Sequence, residues 1–207
     1  MKNLPFSWFD VVIIAMIGVG FWRGRRNGLS NEFIPTLMWL AIAVGGAFLY
    51  KPLGQFLAGF NVFSLLFSYL TAYLGFAIVV AVLFSMIKKA AGDKLASSDF
   101  FGGMEYYGGT LVGAIRFLCI TLFLFSLIGA RKFSEKELTD RALQQRRDFE
   151  GVSFPTPGSI QHDIVYASFT GTLIREHAPF LMIEPTVPEN ISLRGGNRND
   201  ATDRINK

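Results

Sequence analysis

The chain of 207 residues is too apolar for an ordinary soluble protein of its size. Hydrophobic residues make up 51% of it and charged residues only 17%, whereas soluble domains carry about 25% charged residues. A single cysteine excludes a disulfide framework and a cysteine-built zinc site, and two histidines leave little scope for a histidine-built metal centre. The composition therefore favours a membrane protein, and we expect no metal or cofactor.

The net charge of +4 comes entirely from the first part of the chain. Residues 1–129 contain nine Lys or Arg and five Asp or Glu, whereas residues 130–207 contain eleven of each sign. The basic residues of the first part lie at the ends of apolar runs, which is typical of the positive-inside rule. Nucleic-acid binders instead cluster their basic residues on an exposed face, so we expect no nucleic-acid partner.

Four apolar runs predict about four transmembrane helices, at residues 8–22, 33–50, 65–87 and 110–129. A helix needs about 20 apolar residues to cross the hydrocarbon core of a bilayer. The last two runs reach this length, and the second nearly does. The first is short and could either span or lie partly in the interface. The predicted fold class is all-α, with a polytopic membrane domain at residues 1–130.

Basic residues in the short connections predict the orientation of these helices. Three follow the first run and three follow the third, whereas the connection after the second run has only Lys51. The first and third connections should therefore be cytoplasmic, with both termini outside. Basic residues soon after the fourth run oppose this orientation. The residues that favour it are Arg23, Arg25, Arg26, Lys88, Lys89 and Lys94.

The rest of the chain is predicted to be a partly helical polar tail outside the membrane, at residues 131–188. A capping-box pattern predicts a polar helix over 134–150. Ser159 is predicted to cap a second helix that ends before Pro179 and either packs on the membrane domain or lies at the lipid surface. Residues 189–207 are polar and are predicted to be disordered.

Glycines with a spacing of four occur in two places. Gly109 and Gly113 form a G-x-x-x-G motif in the fourth run, which favours close packing against another helix. Gly20, Gly24 and Gly28 have the same spacing, but the segment that contains the last two also contains four polar residues. For Gly24 and Gly28 a turn therefore remains the alternative to packing.

Arg116 is the one charge within the fourth run. Because a guanidinium is costly inside a bilayer, it should either pair with an acid or extend its head toward the cytoplasmic headgroups. The candidate acids are Asp10, Glu32, Asp99 and Glu105. Asp10 is expected to cap the start of the first helix, although it could pair inside the bundle. Glu32 could stand at the start of the second helix.

No catalytic signature is present in the sequence. It contains no phosphate-binding loop, no G-x-S-x-G elbow and no H-E-x-x-H motif. Cys119 lies in the middle of an apolar run, where a thiol is usually inert. We therefore expect no catalytic, cofactor-binding or metal-binding residue, and we expect that the protein is not an enzyme.

Three segments together resemble the colicin V production protein family of small bacterial inner-membrane proteins. These are Trp8-Phe9-Asp10, GRRNGLSNE at residues 24–32 and EYYGGTLVGAIR at residues 105–116. Two positions depart from the family pattern, since Glu105 replaces its usual Asp and Phe117 its usual Gly. The resemblance covers about residues 6–130.

This resemblance implies a multi-pass protein of the bacterial inner membrane that acts in toxin production or export, or in envelope maintenance. It supplies a process rather than a molecular activity. Glu105 and Arg116 are eleven residues apart, too far to pair directly along one helix, so we expect Asp10 and Glu32 to be their partners. The family-motif residues are Asp10, Gly24, Gly28, Glu32, Glu105, Gly109, Gly113 and Arg116.

Three kinds of function are compatible with the sequence. The first is a non-enzymatic scaffold or accessory subunit in the lipid bilayer, associating through its glycines with itself as a homo-oligomer or with an export or envelope complex. The second is a small transporter or channel, for which the chain offers few polar groups within its apolar runs. The third, an intramembrane enzyme, lacks a nucleophile paired with a base.

Overall fold

Three long helices form most of the structure, a computed structural model. It describes residues 7–60, 64–95, 104–131 and 156–186, together with positions 133, 139, 143 and 144. The described part of the chain is helical, with one isolated bridge between Arg131 and Thr186 as its only β-type pairing. Each long helix is apolar and long enough to cross a membrane. The helices are α1 (Trp8–Ala58), α2 (Leu65–Leu95) and α3 (Met104–Gly129).

Helix α1 consists of two segments that reverse direction at Gly28. Its backbone there has φ 75° and ψ 167°, a conformation open almost only to glycine. Phe9 packs on Phe125 near the end of α3, with ring centroids 6.2 Å apart. Gly28 lies beside the first turn of α3, and Tyr50 shares a buried cluster with Ala130, again at the end of α3. The first segment therefore runs antiparallel to α3, and the second runs parallel to it.

The helices extend beyond the apolar runs from which they were predicted. The first two runs, 8–22 and 33–50, are parts of segments that continue through polar residues to Gly28 from both sides, and α1 ends only at Ala58. Helix α3 begins at Met104, before the predicted residue 110. Apolar runs mark where a helix contacts lipid, whereas the helix itself continues as long as its backbone hydrogen bonds do.

The tail is helical in several short pieces. They are α4 (Pro157–His162), a π-helical turn (Asp163–Ala167), α5 (Phe169–His177) and a 3-10 turn (Pro179–Leu181). The predicted single helix beginning at Ser159 is wrong in two respects. Thr156 caps α4 instead, and the N–H of Ser159 donates to its hydroxyl at 3.2 Å. Ser168 is extended, which interrupts the helix, and its hydroxyl caps α5 by accepting from the N–H of Gly171 at 2.9 Å.

This segment packs against one end of the long helices, which was one of the two predicted alternatives. Two buried clusters join the tail to the bundle, and Phe125 and Ile183 within them have no exposed surface. The first cluster contains Phe9, Ile13, Phe125, Ile164, Val165 and Ile174; the second contains Tyr50, Leu66, Tyr69, Tyr73, Ala130 and Ile183. The predicted helix over 134–150 falls mostly outside the described residues, and the predicted disordered end at 189–207 lies wholly outside them.

Candidate functional site: a glycine contact and a buried ion pair

The first segment of α1, up to Gly28, and helix α3 touch backbone to backbone at five glycines. A Cβ atom added to Gly113 would lie 2.8 Å from the Cα atom of Gly24, and one added to Gly20 would lie 2.8 Å from the carbonyl oxygen of Gly113. A Cβ on Gly24 would collide with the carbonyl oxygen of Gly109. No side chain larger than hydrogen fits between these two backbones. Gly24, Gly109 and Gly113 are thus packing residues inside the protein.

Gly28 serves both the turn and the packing, because a Cβ atom added to Gly109 would lie 2.9 Å from the Cα atom of Gly28. Its positive φ reverses the chain, and a Cβ atom there would also lie 2.8 Å from Oε1 of Glu105. The turn that the polar residues around Gly24 and Gly28 offered as an alternative is therefore present, and it lies at Gly28. Both the dihedral angles and the closeness of Glu105 require glycine at this position.

Glu105 caps the second segment of α1 from another helix. Its Oε1 accepts a hydrogen bond from the N–H of Ser30 at 3.0 Å, and its Oε2 accepts from the Ser30 hydroxyl at 3.2 Å. The first N–H groups of a helix have no partner within the helix, so a carboxylate at this place satisfies one of them and complements the helix dipole. The glutamate side chain is long enough to reach this position.

Glu32 is the buried centre of a cluster of charges. Its side chain is 2% exposed, and its Oε2 lies 2.8 Å from Nη1 of Arg116. Its other oxygen accepts a hydrogen bond from the amide of Asn27 at 2.5 Å and lies 3.6 Å from Nε of Arg23. The Arg23 side chain is 55% exposed, so it connects the buried carboxylate to the surface.

The partner of Arg116 among the four candidate acids is Glu32. Glu105 and Asp10 bind other groups, and Asp99 lies outside the described residues. The pairing alternative for Arg116 is therefore the one present in the structure. Within the described part of the chain its Nε atom is buried without a hydrogen-bond partner, so the guanidinium is held mainly through Nη1.

Asp10 joins the start of α1 to the start of α5. Its Oδ2 accepts from the N–H of Ser7 at 2.8 Å, the reciprocal bond of a capping box. The same carboxylate accepts from the N–H of Phe169 at 3.1 Å, and from the N–H and hydroxyl of Thr170 at 2.9 and 2.7 Å. Asp10 is 2% exposed and caps two helices at once. It contacts neither Glu105 nor Arg116.

A model of the family described as Colicin V production protein matches residues 9–145, which is more than half of the chain. The chain belongs to the colicin V production protein family. Searches of curated proteins and of solved structures found no match.

The region matched by the colicin V production family model contains the glycine contact, the Gly28 reversal and the Glu32–Arg116 pair. It also contains Asp10, but not residues 156–186, whose helix α5 Asp10 caps. The contact between Asp10 and the tail therefore joins the family region to a segment outside the match.

Two features of the site were not predicted from the sequence. The bonds between Asp10 and Thr170 connect residues 160 positions apart, and no local pattern indicates them. The Thr36 hydroxyl donates to the carbonyl oxygen of Val112 at 3.2 Å, which joins the second segment of α1 to α3. A threonine within an apolar run was the available signal, but a bond to the carbonyl one turn back in its own helix would have produced the same pattern.

The polar groups of this site hold helices in contact with one another. The described part of the chain has no group of three His, Cys, Asp or Glu residues that could hold a metal ion. The carboxylates of Asp10, Glu32 and Glu105 each accept hydrogen bonds from groups of the protein. These contacts fix the mutual positions of the two α1 segments, α3 and the tail.

Proposed function

We propose that this member of the colicin V production family is a four-crossing protein of the bacterial inner membrane that acts as a non-enzymatic helical scaffold or accessory subunit. The protein would take part in toxin production or export, or in envelope maintenance, which are the roles implied by the family. The observation that supports the proposal is that two charged side chains of the predicted membrane domain bind each other inside the protein. Arg116 and Glu32 bind each other, as expected of groups that fasten helices.

The four proposed crossings are the two segments of α1, then α2 and α3. The reversal at Gly28 supports two crossings within α1, because its segments run in opposite directions along α3. The Gly28 end carries Arg23, Arg25 and Arg26, and the positive-inside rule places such an end in the cytoplasm. The tail packs at the opposite end, so we place it on the outer side of the membrane with Asp10.

The glycines constrain how such a scaffold would bind partners. Gly24, Gly109 and Gly113 are buried in the contact between α1 and α3, so they offer no free surface to a second copy or to an export complex. Association would instead use the outer faces of the helices. Gly18 and Gly75 have no atom within 4 Å of an added Cβ and are therefore open to lipid or to another helix.

Reporter fusions test the proposed crossings. Alkaline phosphatase is active outside the cytoplasm, and green fluorescent protein fluoresces inside it. We expect active phosphatase after Gly59 and Lys207, and fluorescence after Lys94. A fluorescent protein at Lys207 that remains bright would place the tail in the cytoplasm and overturn the proposed orientation.

Liposomes containing the purified protein test the scaffold role against the transporter alternative. We expect no specific flux of ions or small solutes above that of empty liposomes. In parallel, a strain lacking the protein should regain envelope integrity with the wild-type chain and lose it again with Gly113→Leu, which separates α1 from α3. A specific flux that Arg116→Ala abolishes and Arg25→Ala preserves would overturn the scaffold proposal.

A further inference from the structure

A cleft of about 370 Å³ lies where the tail meets the ends of α1 and α3. Tyr50, Lys51 and Gly129 line it from the bundle, and the tail lines it from the π-helical turn through Pro185. Tyr50 and Gly129 are the last residues of two apolar runs. In the proposed topology, on which this inference rests, the cleft therefore opens at the level where hydrocarbon gives way to headgroups.

The walls of the cleft combine apolar surface with one uncompensated positive charge. Val165, Phe180 and Met182 supply apolar surface. Lys51 Nζ lies 2.9 Å from the Glu184 carboxylate, so these two charges neutralise each other.

Arg175 supplies the remaining charge. Its guanidinium lies over the Tyr166 ring, 4.8 Å from the ring centroid, which holds it at the cleft. No carboxylate of the described residues lies within ion-pair distance of it. A guanidinium that is held in place and has free donors is suited to bind a phosphate.

We propose that the cleft binds one anionic membrane phospholipid, with its phosphate at Arg175 and the first carbons of an acyl chain along Phe180 and Met182. The volume is within the range of small-molecule sites, about 300–1,000 Å³, and holds a headgroup with part of a chain. The apolar wall favours a lipid over a free phosphate ion, which has nothing to place against it. A lipid there would contact both the bundle and the tail, and so strengthen the contact between them.

Native mass spectrometry of the full chain in detergent tests this proposal with phosphatidylglycerol and phosphatidylcholine as probes. We expect the wild-type chain to retain phosphatidylglycerol in preference to phosphatidylcholine. Arg175→Gln should lower this retention about fivefold, the factor that one basic residue contributes at an anionic membrane surface. Phe180→Ala should also lower it. Both side chains are exposed, so both variants should unfold at the wild-type temperature in the same detergent.

Arg25→Gln is the matched control, because Arg25 also lies over a tyrosine ring, 4.5 Å from the centroid of Tyr106, at the opposite end of the bundle. It should leave retention unchanged. Equal losses in Arg25→Gln and Arg175→Gln, or equal retention of the two lipids by the wild-type chain, would overturn the proposal. Displacement of the lipid by glycerol phosphate alone would show an anion site and overturn it as well.

The proposed topology is tested by a different experiment, the reporter fusions. If those fusions give the expected pattern and Arg175→Gln still retains the lipid like the wild-type chain, the lipid site alone is wrong. If the fusion at Lys207 reports a cytoplasmic tail, the orientation is wrong, whereas the lipid comparison still decides the site.

Discussion

The two ends of the helical bundle are held together by different forces. At the Gly28 end, α1 and α3 touch at their backbones, and the buried pair of Glu32 and Arg116 joins them. At the opposite end, the tail covers the bundle with two apolar clusters, and polar bonds of Asp10, Tyr50 and Lys51 link it to α1.

The two ends differ in the residues that meet there. At the Gly28 end the contacting glycines have no side chains to bury, so close backbone packing and the bonds of Glu32 hold the helices together. At the tail end, large apolar side chains such as Phe125 and Ile183 are buried. Backbone contact and polar bonds therefore do at one end what apolar side chains do at the other.

Removal of the buried carboxylate should have the largest effect. Glu32→Leu leaves the Arg116 guanidinium without its acid; breaking a fully buried pair costs about 3–5 kcal/mol, and because the Arg116 side chain is 19% exposed the cost here should lie at the lower end, about 3 kcal/mol. We expect this loss in the free energy of unfolding, measured by denaturant titration in mixed micelles. The double variant Glu32→Leu, Arg116→Leu should recover most of the loss because it removes both charges. A double variant as unstable as the single one would contradict the role of the pair.

The glycine contact comes next. Gly113→Ala places a methyl group against the backbone of Gly24, and such overpacking costs about 1–3 kcal/mol. Gly18→Ala is the matched control, because an added Cβ there meets no atom within 4 Å. We expect it to be neutral or slightly stabilising in the same titration. Similar losses in both variants would show that the cost does not come from the contact.

At the tail end, Asp10→Asn should loosen the tail while leaving the bundle folded. The variant keeps one oxygen but places an NH₂ group where the other carboxylate oxygen accepts the N–H of Phe169 or of Thr170, and a buried donor left without its acceptor costs about 1–3 kcal/mol. Hydrogen exchange at these two amides should therefore be about tenfold faster, since 1.4 kcal/mol corresponds to a factor of ten. The exposed Asp163→Asn is the control. Unchanged exchange in Asp10→Asn would show that the bonds of Asp10 do not hold the tail.

The smallest effect is expected for the ion pair at the surface. Lys51 and Glu184 are both more than half exposed, although their charged atoms are 2.9 Å apart. Because water and salt screen such pairs, Lys51→Gln should leave the unfolding transition where it is. A clear shift would show that this pair, and not only the apolar clusters, fastens the tail.

The family membership and the all-helical class were predicted from the sequence and are confirmed. Both depend on local patterns, namely apolar runs and motifs with fixed spacing. The pairing of Arg116 with Glu32 was one of several alternatives. The sequence named the acids within reach and offered a turn at Gly24 and Gly28 as an alternative to packing, but it did not determine the reversal at Gly28, which brings Glu32 to Arg116.

The features that the sequence did not predict depend on contacts between distant residues. Ser159 has the residue type of a cap, yet Thr156 followed by Pro157 is the better start, since proline suits the first position of a helix. The break at Ser168 allows α5 to direct its first N–H groups at Asp10. No pattern within either segment indicates that a carboxylate in the first turn of α1 accepts hydrogen bonds from the start of α5.

The bonds between Asp10 and the tail can form only late in biosynthesis. It is translated 160 residues before Thr170, which at about 5–20 residues per second amounts to about 8–32 s. Until then, of the groups that bind its carboxylate in the finished structure, only Ser7 has been made. The long helices are thus made before the tail that packs on them. A chain on a ribosome that stalls before residue 169 would lack the hydrogen bonds between Asp10 and α5.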